Sequence, residues 1–104
     1  LEKLTETKKA DFGRGWIFRC KGKYPYESQV DFMLREEPEA PSGYALIVIS
    51  GYSAGCTFQH LPKECLTSLN TVSAEWVQKN WSKWIYPECP IKDVHCYKHD
   101  IPHQ

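Results

Sequence analysis

Gly51-Tyr52-Ser53-Ala54-Gly55 matches the GxSxG nucleophile elbow in residue types and spacing. In that motif small residues let a serine sit on a strained strand-to-helix turn, with backbone donors behind it for an oxyanion. The upstream half is present, because Tyr44 to Ser50 reads as a buried strand. The downstream half is not. Residues 56–61 alternate like a second strand and stop at Pro62, so no helix follows the serine. A later acid and histidine on an α/β-hydrolase sheet would also need a longer chain. Gly51 to Gly55 is therefore expected to be a hairpin loop whose glycines take positive φ. A small hydrolase using Ser53 remains the enzymatic alternative.

His95, Cys96, His99 and His103 form a second cluster with metal-ligand chemistry. A structural zinc site usually adds a paired element elsewhere, and Cys56, His60 and Cys65 lack knuckle spacing. Adjacent His95 and Cys96 on a strand would also face opposite ways. No metal and no cofactor are expected. A Cys–His dyad is conceivable among five cysteines and four histidines, but no pair stands in register. Buried, reduced cysteine is the common case.

The elements that would carry these residues belong to one domain, since 104 residues bury a single core. The hydrophobic share is 41% and the charged share 25%, values of an ordinary globular chain. Thirteen basic and thirteen acidic side chains cancel. The long-range attraction that nucleic acid or an anionic membrane draws on is therefore missing, and neither partner is expected. The five cysteines, at 20, 56, 65, 89 and 96, form an odd set without a CxxC pair. Such a set reads as reduced thiols in a cytoplasm rather than a disulfide framework. No run reaches transmembrane length, and the charged first residues show no signal-peptide core.

Along the chain, residues 1–12 are polar and, like 98–104, are expected to be flexible. Trp16 to Cys20 reads as a strand. Pro25 suits the first turn of a helix, and Tyr26, Val30, Met33 and Leu34 share one helical face. Pro38 and Pro41 end that helix. Tyr44 to Ser50 is a strand buried on both faces, and Cys56 to Leu61 its antiparallel partner. Ser73 caps a second helix, with Glu75 in its first turn and Val77, Trp81, Trp84 and Ile85 on its buried face. Asp93 to Tyr97 is the last strand. The expected fold is α+β, of order βαββαβ, with two helices on one side of a mostly antiparallel sheet.

The candidate partner-binding residues are Glu36, Glu37 and Glu39 on the Pro-stiffened loop, Tyr52 in the hairpin loop, and Trp76 at the margin of the second helix's apolar stripe. Carboxylates on a stiff loop can meet cations with little ordering cost. Exposed Trp and Tyr are enriched at binding hot spots. A solvated turn and a core edge are the plainer readings of the same residues. The βαββαβ order is also that of the RNA-recognition motif. Cys56 to Leu61, however, has one aromatic residue and none of the flanking basic pattern. A nucleic-acid-binding domain is thus a second alternative.

Arg14-Gly15 with Ile17-Phe18-Arg19, Pro25 with Val30-Asp31-Phe32-Met33-Leu34, Ser42-Gly43-Tyr44, and Lys79-Asn80-Trp81-Ser82-Lys83-Trp84-Ile85-Tyr86-Pro87 resemble segments of a bacterial family, immunity protein family forty-five. Its members are found beside polymorphic toxins. The similarity spans roughly residues 14–97. It implies a small non-enzymatic protein that binds a cognate toxin domain and occludes or distorts its active site. Such pairs serve contact-dependent growth inhibition or secretion-system competition between bacteria. The partner is then a protein, with no small-molecule ligand. The resemblance assigns no interface residue.

Overall fold

A computed structural model describes residues 1–98. Eight strands lie among them: β1 (Glu2–Lys3), β2 (Asp11–Phe12), β3 (Trp16–Lys21), β4 (Gln29–Glu36), β5 (Tyr44–Val48), β6 (Thr57–His60), β7 (Val72–Ser73) and β8 (His95–Lys98). One helix, α1, is α-helical over Ala74–Asn80 and continues as a π turn over Trp81–Ile85. Short 3-10 turns complete the regular structure. No helix of the described residues is long and apolar enough to cross a membrane.

The chain is mostly β, which overturns the expected α+β fold of order βαββαβ with two helices. The error lies in the first helix, which is strand β4. Tyr26, Val30, Met33 and Leu34 do fit a helical face, but Val30, Phe32 and Leu34 fit a period of two equally well. Tertiary pairing decides between the two readings. Val30, Phe32 and Leu34 are all buried against the core, while Met33 and Arg35 are only half-buried on the opposite side. Pro25 follows a cis Tyr24–Pro25 bond in a turn closed by Tyr26 N donating to Lys23 O at 2.8 Å. It does not open a helix.

The main sheet is antiparallel throughout, in the order β1-β8-β3-β4-β5-β6. β2 and β7 form a separate two-stranded ribbon. Directly opposed residues share a face, so register sorts every side chain. One face carries the run Cys96, Phe18, Phe32 and Val48, with Cys20 opposite Val30 and Leu34 opposite Leu46. All eight are buried. Trp81 of α1 lies on them, its ring centroid 5.8 Å from that of Phe18, and donates Nε1–H to Cys89 O at 3.2 Å.

The second expected helix is α1. Ser73 Oγ accepts a hydrogen bond from Trp76 N at 3.2 Å, the N-cap role its sequence position suggests. Val77, Trp81 and Ile85 face the core as the periodicity requires. Trp84 does not. The wider π turn, closed by Tyr86 N donating to Trp81 O at 3.0 Å, keeps Ile85 inward and swings Trp84 out to 37% exposure.

Within residues 1–12, Leu4 and Phe12 anchor the segment to the core. Leu4 and Phe12 are fully buried, Leu4 N donates to Val94 O, and Gln78 Nε2 donates to Leu4 O. Lys98 closes β8. The remainder of the expected 98–104 tail lies outside the described residues.

Candidate functional site

α1 and the N-terminal segment pack on one face of the six-stranded sheet. The opposite face has no covering layer among the described residues. Register arranges it in cross-strand rows. Lys3, His95, Arg19 and Asp31 lie opposite one another across β1, β8, β3 and β4. The next row is Tyr97, Ile17, Met33, Ile47 and Thr57. A third contains Arg35, Ala45 and His60. The face is thus an apolar band between two polar rows. Ile17 and Ala45 are buried, whereas Met33, Ile47 and Tyr97 are half-buried. An apolar centre with a polar rim is the usual anatomy of a protein–protein contact surface.

The first polar row is tightly built. Arg19 donates through Nε to Asp31 Oδ1 and through Nη2 to Asp31 Oδ2, both at 2.9 Å. Tyr97 Oη donates to Asp31 Oδ2 at 3.3 Å, and the Arg19 guanidinium lies 5.3 Å from the Tyr97 ring centroid. Asp31 N donates in turn to Ser50 Oγ at 2.9 Å. The hydrogen bond to Asp31 holds Arg19 more firmly charged, outweighing its desolvation. Burial, then the nearby Asp31 charge, raises the Tyr97 phenol. A fork held on two nitrogens and stacked on an aromatic ring has lost most of its rotamer freedom before any partner arrives. Beside it opens a recess of about 430 Å³ lined by Arg19, Lys21, Ser28, Gln29, Asp93 and His95, among others.

In the third row Arg35 Nη2 donates to Glu37 Oε1 at 2.9 Å and to Thr57 Oγ1 at 3.4 Å. Its Nε is buried and has no hydrogen-bond partner among the described residues.

The residues singled out from sequence fall on separate surfaces. Glu36 closes β4, and Glu37 and Glu39 follow it, at one end of the β4–β5 hairpin. Glu37 is engaged, since Oε1 accepts from Arg35 and Oε2 from Glu39 N at 3.2 Å. Glu36 and Glu39 are exposed. Tyr52 lies at the other end, 96% exposed, with its backbone N–H donating to Glu27 Oε2. Trp76 is half-buried on α1, its ring 6.2 Å from that of Trp84. The alternation in Ile17-Phe18-Arg19 and Asp31-Phe32-Met33 was the signal for the uncovered face, but an apparent helix at residues 25–34 hid half of it.

Ser53 sits in the loop between β5 and β6. Gly51 and Gly55 have φ of 68° and 95°, as a hairpin loop requires, and strand β6 stands where an elbow would need its helix. Phe58 of β6 stacks on Phe32 at 4.3 Å on the covered side of the sheet, so it offers no platform to a base. His95 lies on the uncovered face and Cys96 in the core. His99 and His103 lie outside the described residues. Among the described residues no group of three or more His, Cys, Asp and Glu side chains could hold a metal ion. All five cysteines are free, with Cys56 exposed and the others buried.

An uncovered sheet face with a rigid polar row and an apolar band suits a binding protein better than a catalyst. The family comparison agrees in kind: the model of immunity protein 45 matches residues 4–96, and the chain belongs to that family. No curated protein and no solved structure matches the chain.

Proposed function

We propose that this protein binds a cognate toxin domain and neutralises it in the cytoplasm of the cell that makes the toxin. The observation that carries this reading is membership of an immunity-protein family over nearly the whole described chain. Three features support it. The loop holding Ser53 lacks the helix a nucleophile elbow needs. The five cysteines are unpaired, which suits a reducing compartment. Among the described residues one face of the sheet is left without a covering layer. Toxin systems of contact-dependent or secretion-linked competition are the setting in which such a protein acts.

The test is co-expression of the chain with the toxin domain encoded beside its gene, scored by cell survival and by recovery of a one-to-one complex. Protection by the wild type, and equally by Ser53→Ala, is the expected result. Survival that fails with the wild type while the toxin kills would refute the immunity reading. Protection lost specifically with Ser53→Ala would favour a hydrolase.

A further inference from the structure

The chain is neutral overall, yet its charges are not evenly spread over the sheet. On the strand positions of the uncovered face stand four cations, Lys3, Arg19, Lys21 and Arg35, and one anion, Asp31. That anion is spent on Arg19. Two further carboxylates, Asp93 and Glu37, approach from turns and pair with Lys21 at 3.6 Å and Arg35 at 2.9 Å. Lys21 remains 75% exposed, so its pair is solvent-screened and readily exchanged. Basic groups therefore border the apolar band of Tyr97, Ile17, Met33 and Ile47 on both sides.

We infer that this face is the toxin-binding surface, and that the toxin meets it with an apolar patch edged by carboxylates. The inference rests on the immunity reading and adds to it the surface and the chemistry of the partner. The apolar residues supply area that is dry once covered. Arg19, already aligned by Asp31 and Tyr97, lines the recess together with Lys21 and His95. An Asp or Glu side chain of the toxin seated in that recess gains charge-assisted hydrogen bonds at little ordering cost. At the other border, the half-exposed Arg35 guanidinium is held in place by Glu37 and Thr57. The rival surfaces are the Trp76–Trp84 pair on α1 and the Tyr52 loop, neither of which combines an apolar band with a preset cation.

The probe is the toxin domain encoded beside this gene, inactivated at its catalytic site, and the readout is binding kinetics with the full chain. Three variants are compared after their melting curves are matched to the wild type: Ile47→Glu in the band, the double variant Lys3→Glu with Lys21→Glu on the exposed rim, and Trp84→Glu on α1. Ile47→Glu is expected to weaken binding at least 100-fold, as a charge buried in an apolar contact does. Both lysines are exposed, and the pair lost from the fold is the solvent-screened Lys21–Asp93 contact. Their reversal is expected to slow association about tenfold at low salt and to lose most of that effect at high salt. Trp84→Glu should bind within about threefold of wild type. A wild-type complex that Ile47→Glu and the lysine reversals leave unchanged would overturn the inference while sparing the immunity reading. No complex with the wild type would take both down together.

Discussion

Asp31 receives two hydrogen bonds from Arg19, each 2.9 Å long, on the sheet face that no other layer covers among the described residues. The Asp31 side chain is only 8% exposed, so its charge relies on this fork and on Tyr97 rather than on water. Replacing Asp31 with Ala strands Arg19 and Tyr97. Because Arg19 is about one-third exposed and can turn toward solvent, the loss should be moderate, about 1–3 kcal/mol by urea melts. Asp31→Leu combined with Arg19→Met should recover part of it, because apolar isosteres often replace a largely buried pair without loss.

Phe32 is the centre of the aromatic cluster. It stacks on Phe58 at 4.3 Å and meets Tyr86 edge-on at 5.5 Å. Phe32→Ala should cost about 3–5 kcal/mol in chemical unfolding, the range of large-to-small changes in a packed core. Met33→Ala, one residue on and facing the other way, should cost visibly less. Equal losses at the two positions would contradict the strand.

Gly51 combines a φ of 68° with the side chain of Glu27 where a Cβ would stand. Gly51→Ala should therefore destabilise by about 1–3 kcal/mol in thermal or urea melts. Adding Glu27→Ala should restore only the steric part, because the positive φ persists. Full rescue would mean that backbone strain contributes nothing.

Stability should decline in alkali. Burial, with a smaller contribution from Glu2, pushes the Cys96 thiol up to about 11 from an ordinary value of 9. Above pH 9 the unfolded chain releases this proton while the folded chain keeps it, so stability falls with rising pH. The contribution is intact below pH 9 and gone once pH passes about 11. Over that window a two-unit shift amounts to about 2–3 kcal/mol. The phenols of buried Tyr86 and of half-buried Tyr26, Tyr44 and Tyr97 are raised too, chiefly by desolvation, and act in the same direction at higher pH. Unfolding curves from pH 8 to 11 should show a shallower slope for Cys96→Ala than for wild type.

Four of the long strands and the helix were legible because single signals marked them. Ser73 and the Val77, Trp81, Ile85 spacing located α1, and the apolar run from Tyr44 located β5. Val30 to Leu34 misled because strongly apolar residues at nearly every position satisfy two periods at once. Trp84 misled because a π turn cannot be read from apolar spacing. The uncovered face was out of reach for a different reason. Its rows join residues as distant in sequence as Arg19 and His95, and only strand register brings those together. The acidic loop was visible as a run of charge, but not that Glu37 would be spent on Arg35.

Strand β6 borders the sheet with four residues, and its pairing with β5 breaks register between Leu46 and Ile47. A long, flat border would offer a row of free backbone groups on which another copy could add, and then another. A short and irregular one gives such growth no template. The broken border of β6 therefore disfavours edge-to-edge addition of further copies, whatever the concentration the chain reaches.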